Sequence, residues 1–355
     1  MAKKLFVPGP VEVGPRILQA LATPQIGHRS GEFQDLYARV VGRLKDLLGT
    51  KRRLYLATCS ATGIMEGAVR NCVKKRCLNL TCGAFSERWH EITRANGREA
   101  DKISVEWGEP NLPEVLHDAL STGKYDAVTV VHNETSTGLM NPLRDIAAAV
   151  HEHPGVLLLV DAVSSMAVVD IPIDDLDLDV CLAGTQKGFG LPSGLTVFTV
   201  SDLAFERAGT IPDRGYYFDF LDFEKYHQRN QTPSTPPIPH LYGLDARLEG
   251  IAAMGREKWF ARHLQMAERT RGWAARHFEV FPRRGYESVS LTAIRNTRGI
   301  SVDALNKALG KRGMAISNGY GKLKEKTFRI GHMGDIEMGD LEVLLRAIEE
   351  ILEIG

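Results

Sequence analysis

Two short apolar runs within residues 156–194 constrain the fold more than any other part of the chain. The first run, residues 156–160, ends at Asp161, and the second, residues 180–183, is followed by Lys187 in a glycine-rich turn. Uninterrupted apolar runs of this length are typical of strands buried on both faces of a sheet, as in open α/β folds. Because such sheets bind ligands at the carboxyl ends of their strands, we expect both charged side chains at a binding edge.

The combination of an aspartate and a lysine at neighbouring strand ends suits pyridoxal 5′-phosphate. This cofactor needs an amine for its aldehyde and an anion for its ring nitrogen. The same two residues also fit a turn aspartate and a surface lysine, so the pair by itself does not decide between these interpretations. The GFGLPSG segment that follows the lysine lacks the G-x-G-x-x-G spacing of a dinucleotide-binding turn.

Composition favours a small-molecule ligand over a charged macromolecule or a membrane. Lysine plus arginine and aspartate plus glutamate each number 44 among 355 residues, so the formal charge of zero favours neither nucleic acid nor an anionic membrane. Apolar runs fall well short of the roughly 20 residues that span a bilayer. Proline and glycine interrupt the first residues before a signal-peptide core forms, so we expect a cytoplasmic protein. Five cysteines without paired metal-ligand spacing predict reduced thiols and no metal site.

Further apolar runs predict a mainly parallel sheet followed by a smaller α+β unit. Helices such as residues 142–153 separate the runs and imply right-handed crossovers. Besides the two strands above, we predict strands at residues 54–57, 76–81, 127–131, 195–200, 289–295, 314–317 and 327–330. We predict C-terminal helices at residues 240–254, 257–277, 302–311 and 341–354. Residues 209–239 lack periodicity and predict a long irregular loop.

Three of the predicted strands end in residues that could bind a cofactor. Ser60 and Thr62 lie at a predicted helix N-terminus, where backbone N–H groups and the helix dipole favour an anion. Ordinary helix capping would use the same residue types. Phe85 offers a flat face to a ring or belongs to the core, and the polar segment HNETSTG, residues 132–138, follows the third strand.

As an ordered set, these segments resemble the class V aminotransferases, pyridoxal-phosphate enzymes of fold type I that include alanine–glyoxylate, serine–pyruvate and phosphoserine aminotransferases. The resemblance covers nearly the whole chain and rests on PGP, GHRSGEF, CSATGIMEGAV, CGAFSERW, HNETSTG, VDAVSS, GTQKGFGLPSGL, TPSTPP and FRIGHMGD. It implies an α/β fold with a large domain, residues 15–250, built on a mixed, mainly parallel sheet. It also implies a small α+β domain from residues 1–14 and 251–355, and a homodimer with active sites shared between the subunits.

The resemblance also implies a role for individual residues. Lys187 matches the Schiff-base lysine, Asp161 the partner of the pyridinium nitrogen, and Arg329 the arginine that binds the substrate α-carboxylate. The other cofactor contacts that it implies are Ser60, Ala61, Thr62 and Gln186 at the phosphate, Thr235 reaching the phosphate from the neighbouring subunit, Phe85 and Val163 on the two ring faces, and Thr135 at the phenolic oxygen. Many relatives carry tryptophan where this chain has Phe85, so the stacking face is kept but indole hydrogen-bond donation is lost.

The resemblance implies a ping-pong transamination between a small L-amino acid, alanine or serine, and glyoxylate or pyruvate. FRIGHMGD and the absence of a large hydrophobic specificity segment favour a small substrate. The main alternative is phosphoserine with 2-oxoglutarate, because the predicted substrate-binding residues His28 and Arg29 and the lysines of GYGKLKEK, residues 319–326, could bind a second phosphate. These residues are equally compatible with solvated surface positions.

Two further classes are less favoured. A cysteine desulfurase or lyase is possible on the same scaffold, but desulfurases need a nucleophilic cysteine late in the chain, and no cysteine follows Cys181. A non-catalytic cofactor-binding module would leave Lys187 without a purpose.

Overall fold

The computed structural model describes residues 3–355 and contains two main β-sheets with helices packed against them. The strands are β1 (Lys4–Phe6), β2 (Arg53–Ala57), β3 (Arg76–Thr81), β4 (Glu99–Ser104), β5 (Ala127–Val131), β6 (Asn133–Glu134), β7 (Leu139–Met140), β8 (Leu157–Asp161), β9 (Val180–Gly184), β10 (Thr196–Val200), β11 (Glu279–Val280), β12 (Leu291–Arg295), β13 (Met314–Asn318) and β14 (Thr327–Gly331). The helices are α1 (Pro15–Leu21), α2 (Gly31–Leu48), α3 (Ala61–Cys72), α4 (Ala84–Ala95), α5 (Pro113–Leu120), α6 (Leu143–His151), α7 (Asp202–Gly209), α8 (Phe220–His227), α9 (Ile238–Met254), α10 (Arg256–His277), α11 (Val302–Lys311) and α12 (Met338–Leu352).

The larger sheet has seven strands in the order β2-β10-β9-β8-β5-β3-β4. Strands β9, β8, β5, β3 and β4 run parallel, and β10 is antiparallel to both of its neighbours. The central strands β5, β8 and β9 are buried along their whole length. This arrangement confirms the predicted mixed, mainly parallel sheet.

Strand β8 shows why its sequence is apolar without alternation. Leu158 and Val160 belong to a core that includes residues of α2 and α9, whereas Leu157 and Leu159 belong to a second core that includes residues of α3. Both faces of the strand are therefore covered, as expected for a parallel sheet.

The smaller sheet has the order β1-β13-β14-β12-β11. Strand β1 pairs in parallel with β13, so an N-terminal strand completes a sheet made otherwise from the C-terminal part. Its core includes Phe6, Trp273, Phe328 and Leu344. Within residues 3–355, no helix combines the length and the apolar character that crossing a membrane requires.

The predicted strands are confirmed to within two residues at each end. The prediction of an irregular loop over residues 209–239 is wrong in part, because α8 forms within it. The Asp219 side chain caps this helix by accepting a hydrogen bond from the backbone of Leu221, and Phe220 and Phe223 pack on Phe198 of β10. Tertiary packing thus stabilises a helix without a clear sequence period. The sequence pattern also does not predict β4, a largely polar strand at the sheet edge.

An ion pair between Asp335 and the buried Arg247 holds the segment that leads into α1. Asp335 accepts hydrogen bonds from Arg247 Nη1 (2.6 Å) and Nη2 (2.5 Å), and from the backbone N–H of Gly14 (2.6 Å). The Arg247 side chain is only 9% exposed, against 27% for Asp335. One carboxylate therefore joins three segments that are distant in sequence.

We expect Asp335→Ala to lower the free energy of unfolding by about 3 kcal/mol, because it leaves the buried guanidinium without its carboxylate. Urea unfolding followed by circular dichroism measures this loss. The control is Glu249→Ala, whose ion pair with Arg16 is more than half exposed on both sides and should contribute less than about 1 kcal/mol. Equal losses in the two variants would show that Asp335 is not the anchor.

Candidate active site

A cavity of about 270 Å³ opens at the carboxyl ends of the parallel strands. Asp161 is the last residue of β8, and Lys187 lies in the turn after β9. The lining contains nine of the residues predicted from sequence: Ser60, Ala61, Thr62, Phe85, Thr135, Asp161, Val163, Gln186 and Lys187. Segments that follow five different strands therefore meet in one place, as the parallel topology requires.

Asp161 is a buried carboxylate with spare hydrogen-bonding capacity. It is 5% exposed and accepts a hydrogen bond from the backbone N–H of Val163 (2.8 Å). Burial raises the pKa of Asp161 to about 7, and the negative charge of Glu134 acts in the same direction, while the charges of Lys187 and Arg88 oppose the increase. The group is therefore set to become more acidic when a cation lies beside it.

Lys187 is held between the sheet edge and the N-terminal segment. Its Nζ donates to the carbonyl oxygen of Pro8. Gly9 passes so close that a Cβ atom there would lie 2.7 Å from Nζ, and its φ of 123° also favours glycine. The PGP segment thus covers the amine closely, which explains why a residue without a side chain stands at this point.

The pKa of Lys187 is lowered to about 8, mainly by burial and also by the positive charge of Arg329, whereas the charge of Asp161 acts in the opposite direction. The pKa of Lys187 in the folded protein is thus below its ordinary value of 10.5. Between about pH 8 and pH 10.5, Lys187 binds more protons in the unfolded chain than in the folded protein. The contribution of Lys187 to the free energy of unfolding therefore rises with pH across this window. The amine of Lys187 therefore loses its proton at a pH closer to neutrality than the amine of an exposed lysine does.

The N-terminus of α3 provides hydrogen-bond donors for an anion. Ser60 is the N-cap residue, but its side chain makes no capping hydrogen bond. Gln186 lines the same cavity, and the NH2 group of its side-chain amide can donate to an anion. Together with the helix dipole, these polar groups fit a phosphate.

Apolar surface and a threonine complete the predicted cofactor contacts. Phe85 and Val163 both line the cavity and are half-buried, so each can present apolar surface to a planar ring. Thr135 Oγ1 shares a hydrogen bond of 2.6 Å with Ser164 Oγ. The arrangement has the chemical groups that pyridoxal phosphate needs along its length.

Arg329 is buried, and backbone carbonyl oxygens orient its guanidinium group. It donates to the carbonyl of Thr135 (3.1 Å) and, through Nε and Nη2, to the carbonyl of Asn318 (3.2 and 3.1 Å). Burial lowers the pKa of Arg329 to about 10. Arg329 is not among the cavity-lining residues, but its charge acts on Lys187 and it binds the Thr135 backbone, so it borders the site.

Glu134 is a buried residue whose role the sequence did not reveal. Its carboxylate accepts hydrogen bonds from the backbone N–H groups of Phe85 (3.2 Å), Ser86 (3.0 Å) and Ser136 (3.1 Å), and from both serine hydroxyls. A Cβ atom at Gly83 would lie 2.4 Å from its Cγ. Glu134 therefore joins the start of α4, which carries Phe85, to the turn that carries Thr135. The sequence signal for Glu134 was its position in the polar HNETSTG segment. No sequence rule predicts the contacts that its carboxylate makes.

Besides Arg329, three predicted site residues do not line the cavity of their own chain. Arg29 is exposed and donates to the carbonyl oxygens of Thr232 (2.8 Å) and Pro233 (3.2 Å). Thr235 is exposed, and its carbonyl accepts a hydrogen bond from Thr58 Oγ1 (3.5 Å). His28 is half-buried and does not line the cavity. Their predicted roles remain predictions.

Comparison with known proteins identifies close similarities over the full chain. The family model described as Aminotransferase class-V matches residues 20–324. The chain is 37% identical to an uncharacterised aminotransferase of Methanocaldococcus jannaschii, covering 96% of this chain and 90% of that protein. It is 33% identical to the serine–glyoxylate aminotransferase of Methylorubrum extorquens, covering 99% and 91%. The crystal structure of alanine–glyoxylate aminotransferase from Nostoc sp. matches with a TM-score of 0.94 at 28% identity, covering 99% and 96%.

The pKa of Lys187 can be tested in the protein without cofactor. We expect the labelling of Lys187 by trinitrobenzenesulfonate to have a midpoint near pH 8. Mass spectrometry of the labelled peptide measures the extent of labelling at each pH. Arg329→Leu removes a positive charge and should move the midpoint up by roughly one pH unit, whereas Asp161→Asn removes a negative charge and should move it down. Arg329→Lys keeps the charge and serves as the control. Shifts of the same sign in the Leu and Asn variants would refute this electrostatic account.

The anchoring role of Glu134 gives a second test. Glu134→Gln replaces one of the two carboxylate oxygens by an NH2 group, which would face the backbone N–H groups as a second donor. We therefore expect the free energy of unfolding of the cofactor-free protein to fall by about 2–4 kcal/mol. Because Phe85 and Thr135 lose their common support, pyridoxal phosphate should bind at least about tenfold more weakly by fluorescence titration. Glu91→Gln, at an exposed position of the same helix, is the matched control. Unchanged cofactor affinity in Glu134→Gln would contradict the role.

Proposed function

The chain belongs to the class V aminotransferase family and is a pyridoxal-phosphate-dependent aminotransferase, and from this premise we propose that it transfers the amino group of a small L-amino acid, alanine or serine, to glyoxylate or pyruvate. Two of the proteins described above are named for their substrates, one for serine and glyoxylate and the other for alanine and glyoxylate. The reaction would proceed as two half-reactions, in which the donor product leaves before the acceptor binds. The amine of Lys187 would be the point of covalent attachment for the cofactor.

The observation that carries this proposal is the placement of Lys187 and Asp161 in one cavity with the N-terminus of α3. The lysine has a lowered pKa and the aspartate is a buried carboxylate, while Ser60 leaves its hydroxyl free. An amine, an anion and a phosphate site in one cavity match the three polar requirements of the cofactor.

When bound, pyridoxal phosphate supplies an aldehyde that takes up the amino group and a ring that takes up the electrons of the substrate Cα–H bond. Asp161 would accept a hydrogen bond from a protonated ring nitrogen, because within residues 3–355 its carboxylate accepts a single hydrogen bond, from the backbone N–H of Val163. Phe85 and Val163 would hold the ring between apolar surfaces, and Thr135 would bind the phenolic oxygen. The phosphate would contact Ser60, Ala61, Thr62 and Gln186.

Lys187 and Arg329 would act on the substrate. A lysine with a pKa of about 8 can remove and return a proton near neutral pH, so Lys187 would act as the general base at Cα. Arg329 would bind the α-carboxylate through its planar guanidinium group, which fixes the orientation of the Cα–H bond. The carbonyl contacts to Thr135 and Asn318 hold the guanidinium in place for that task.

Crowding around the amine supports a small donor. Pro8 contacts Nζ of Lys187 through its carbonyl oxygen, and Gly9 and Pro10 line the cavity beside it. A bulky substrate side chain directed toward this segment would displace backbone. Alanine and serine fit the limited space.

The phosphoserine alternative is not favoured by the positions of the lysines that motivated it. Lys322 is exposed and lies over the Trp107 ring, 4.4 Å from its centroid. Lys324 is exposed and pairs with Asp303 at 3.9 Å. Both ammonium groups therefore have partners away from the cavity.

We further propose a homodimer with shared active sites and a division into a large domain, residues 15–250, and a small domain, residues 1–14 with 251–355. Thr235 is exposed and outside its own cavity, which suits a contact with the phosphate bound by the partner. His28 and Arg29 lie outside the same cavity and would approach the partner's substrate in the same way.

The decisive experiment measures single half-reactions. We expect alanine and serine to change the absorbance of the bound cofactor, and glyoxylate or pyruvate to restore it, with pyruvate formed from alanine detected directly. Lys187→Arg should lower kcat by at least about a thousandfold, because the general base is lost. If no amino acid changes the absorbance of the loaded protein, the proposed transamination is wrong.

A further inference from the structure

Tyr320 is a half-buried residue that the proposed mechanism does not use, although it contacts both parts of the site. It follows β13 of the smaller sheet and reaches α4, which packs on the larger sheet. Its ring centroid lies 5.4 Å from that of Phe85, and its hydroxyl accepts a hydrogen bond from Arg88 Nη2 (3.4 Å). The guanidinium carbon of Arg88 lies in turn over the Phe85 ring, 4.9 Å from its centroid. Both the ring and the hydroxyl of Tyr320 are therefore held against α4.

The same phenol ring covers the guanidinium group of Arg329. The guanidinium carbon lies over the ring, 5.5 Å from the Tyr320 centroid, within the roughly 6 Å over which a cation and an aromatic face attract each other. Arg329 is only 7% exposed, and loss of water strengthens this attraction. One side chain thus lies between the predicted carboxylate-binding arginine and the predicted ring-stacking residue.

Hydrogen bonds within the guanidinium plane do not by themselves fix how that plane is tilted. The carbonyls of Thr135 and Asn318 accept from Nη1, Nε and Nη2 of Arg329. Arginine has five N–H donors, so within residues 3–355 these bonds leave one N–H on each terminal nitrogen for a carboxylate. Because carbonyl oxygens accept hydrogen bonds over a broad range of directions, tilting costs little at these contacts. An aromatic ring on the guanidinium face opposes tilting directly.

The turn that carries Tyr320 also holds Arg329, so the ring and the carbonyl contact form one unit. The carbonyl of Asn318 accepts from Arg329, as described above, and the side-chain Oδ1 of Asn318 accepts from the backbone N–H groups of Gly319 (2.7 Å) and Glu325 (2.8 Å). These bonds close the turn on both sides of Tyr320. The phenol ring is therefore held in a fixed relation to the carbonyl that orients the guanidinium.

We propose that Tyr320 is a positioning residue for Arg329. Its ring holds the plane of the guanidinium, so that the two remaining N–H groups face the α-carboxylate of the substrate. Because Phe85 and Arg88 hold the phenol on α4, the carboxylate site keeps a fixed place relative to the wall that supports the cofactor ring. The inference rests on the proposed function and adds to it a residue that sets the affinity for the carboxylate group.

The test uses two reagents that differ in a carboxylate, aminooxyacetate and methoxyamine. Both carry an aminooxy group that reacts with the aldehyde of bound pyridoxal phosphate, and the absorbance change gives each rate constant without transamination. The ratio of the two rate constants, divided by the same ratio for free pyridoxal phosphate, measures carboxylate recognition alone. We expect a ratio of at least about ten in the unaltered protein. In Tyr320→Leu the ratio should fall by about three- to thirtyfold.

Three control variants separate the aromatic face from other effects. Tyr320→Phe keeps the ring without the hydroxyl and should keep the ratio within about twofold. Lys322→Ala removes another contact of the same turn, in which the ammonium lies over the Trp107 ring, and should also keep the ratio. In Arg329→Leu the ratio should already be low, and adding Tyr320→Leu should lower it by less than about twofold, because the two residues act together.

The covered guanidinium can also be probed in the protein without cofactor. Phenylglyoxal modifies arginine side chains, and mass spectrometry of the peptides gives the rate at each position. We expect Arg329 to be modified at least about threefold faster in Tyr320→Leu than in the unaltered protein or in Tyr320→Phe, because the ring no longer covers the guanidinium. Arg94, at an exposed position of α4, is the internal reference and should react equally in all three proteins.

Several outcomes would overturn the assignment. Equal slowing of both reagents in Tyr320→Leu would mean that Tyr320 only supports Phe85. A ratio as low in Tyr320→Phe as in Tyr320→Leu would assign the effect to the hydroxyl, and an equal loss in Lys322→Ala would assign it to the turn as a whole. A ratio of one in the unaltered protein would exclude a carboxylate site at Arg329. Absence of any reaction with both reagents would instead refute the proposed function, while the phenylglyoxal measurement would still report on Tyr320.

Discussion

The burial of one ε-amine at the edge of the large sheet is the constraint on which the site depends. A buried ammonium is costly, so Lys187 gives up its proton more easily than an exposed lysine does. The charge of Arg329 adds to that effect and Asp161 opposes it. The carbonyl of Pro8 holds the amine in position. The chain thus obtains an amine of lowered pKa from solvation and geometry, without an unusual residue.

The other residues of the site lie at the same edge of the large sheet, because of the direction of its strands. Because β2, β3, β5, β8 and β9 all point their carboxyl ends in one direction, five connecting segments meet around the cavity. Loops alone would be poor supports for a planar cofactor. Glu134 compensates, because one buried carboxylate fixes the backbone before Phe85 and the turn that contains Thr135. Rigidity at the ring-binding wall therefore comes from a residue that need not touch the cofactor.

Much of this organisation could be predicted from the sequence, because it depends on residues that are close together along the chain. Short apolar runs predicted β5, β8 and β9, and residues at or just after the ends of these strands line the cavity. The helix within residues 209–239 was not readable, since its apolar side chains are organised by β10 and not by a helical period of their own. The long-range contacts of Glu134 and Arg88 could not be predicted either. Their contacts bridge segments far apart in the chain, as between Glu134 and Ser86, 48 residues away.

The sequence by itself determined which chemical groups stand at which strand ends, because strand and turn propensities depend on neighbouring residues. The folded structure decided how those groups behave. The pKa of Asp161 and of Lys187 depends on loss of water and on charges such as that of Arg329, which lies in a different sheet. Solvation and Coulomb interactions act through space, so no local pattern encodes them.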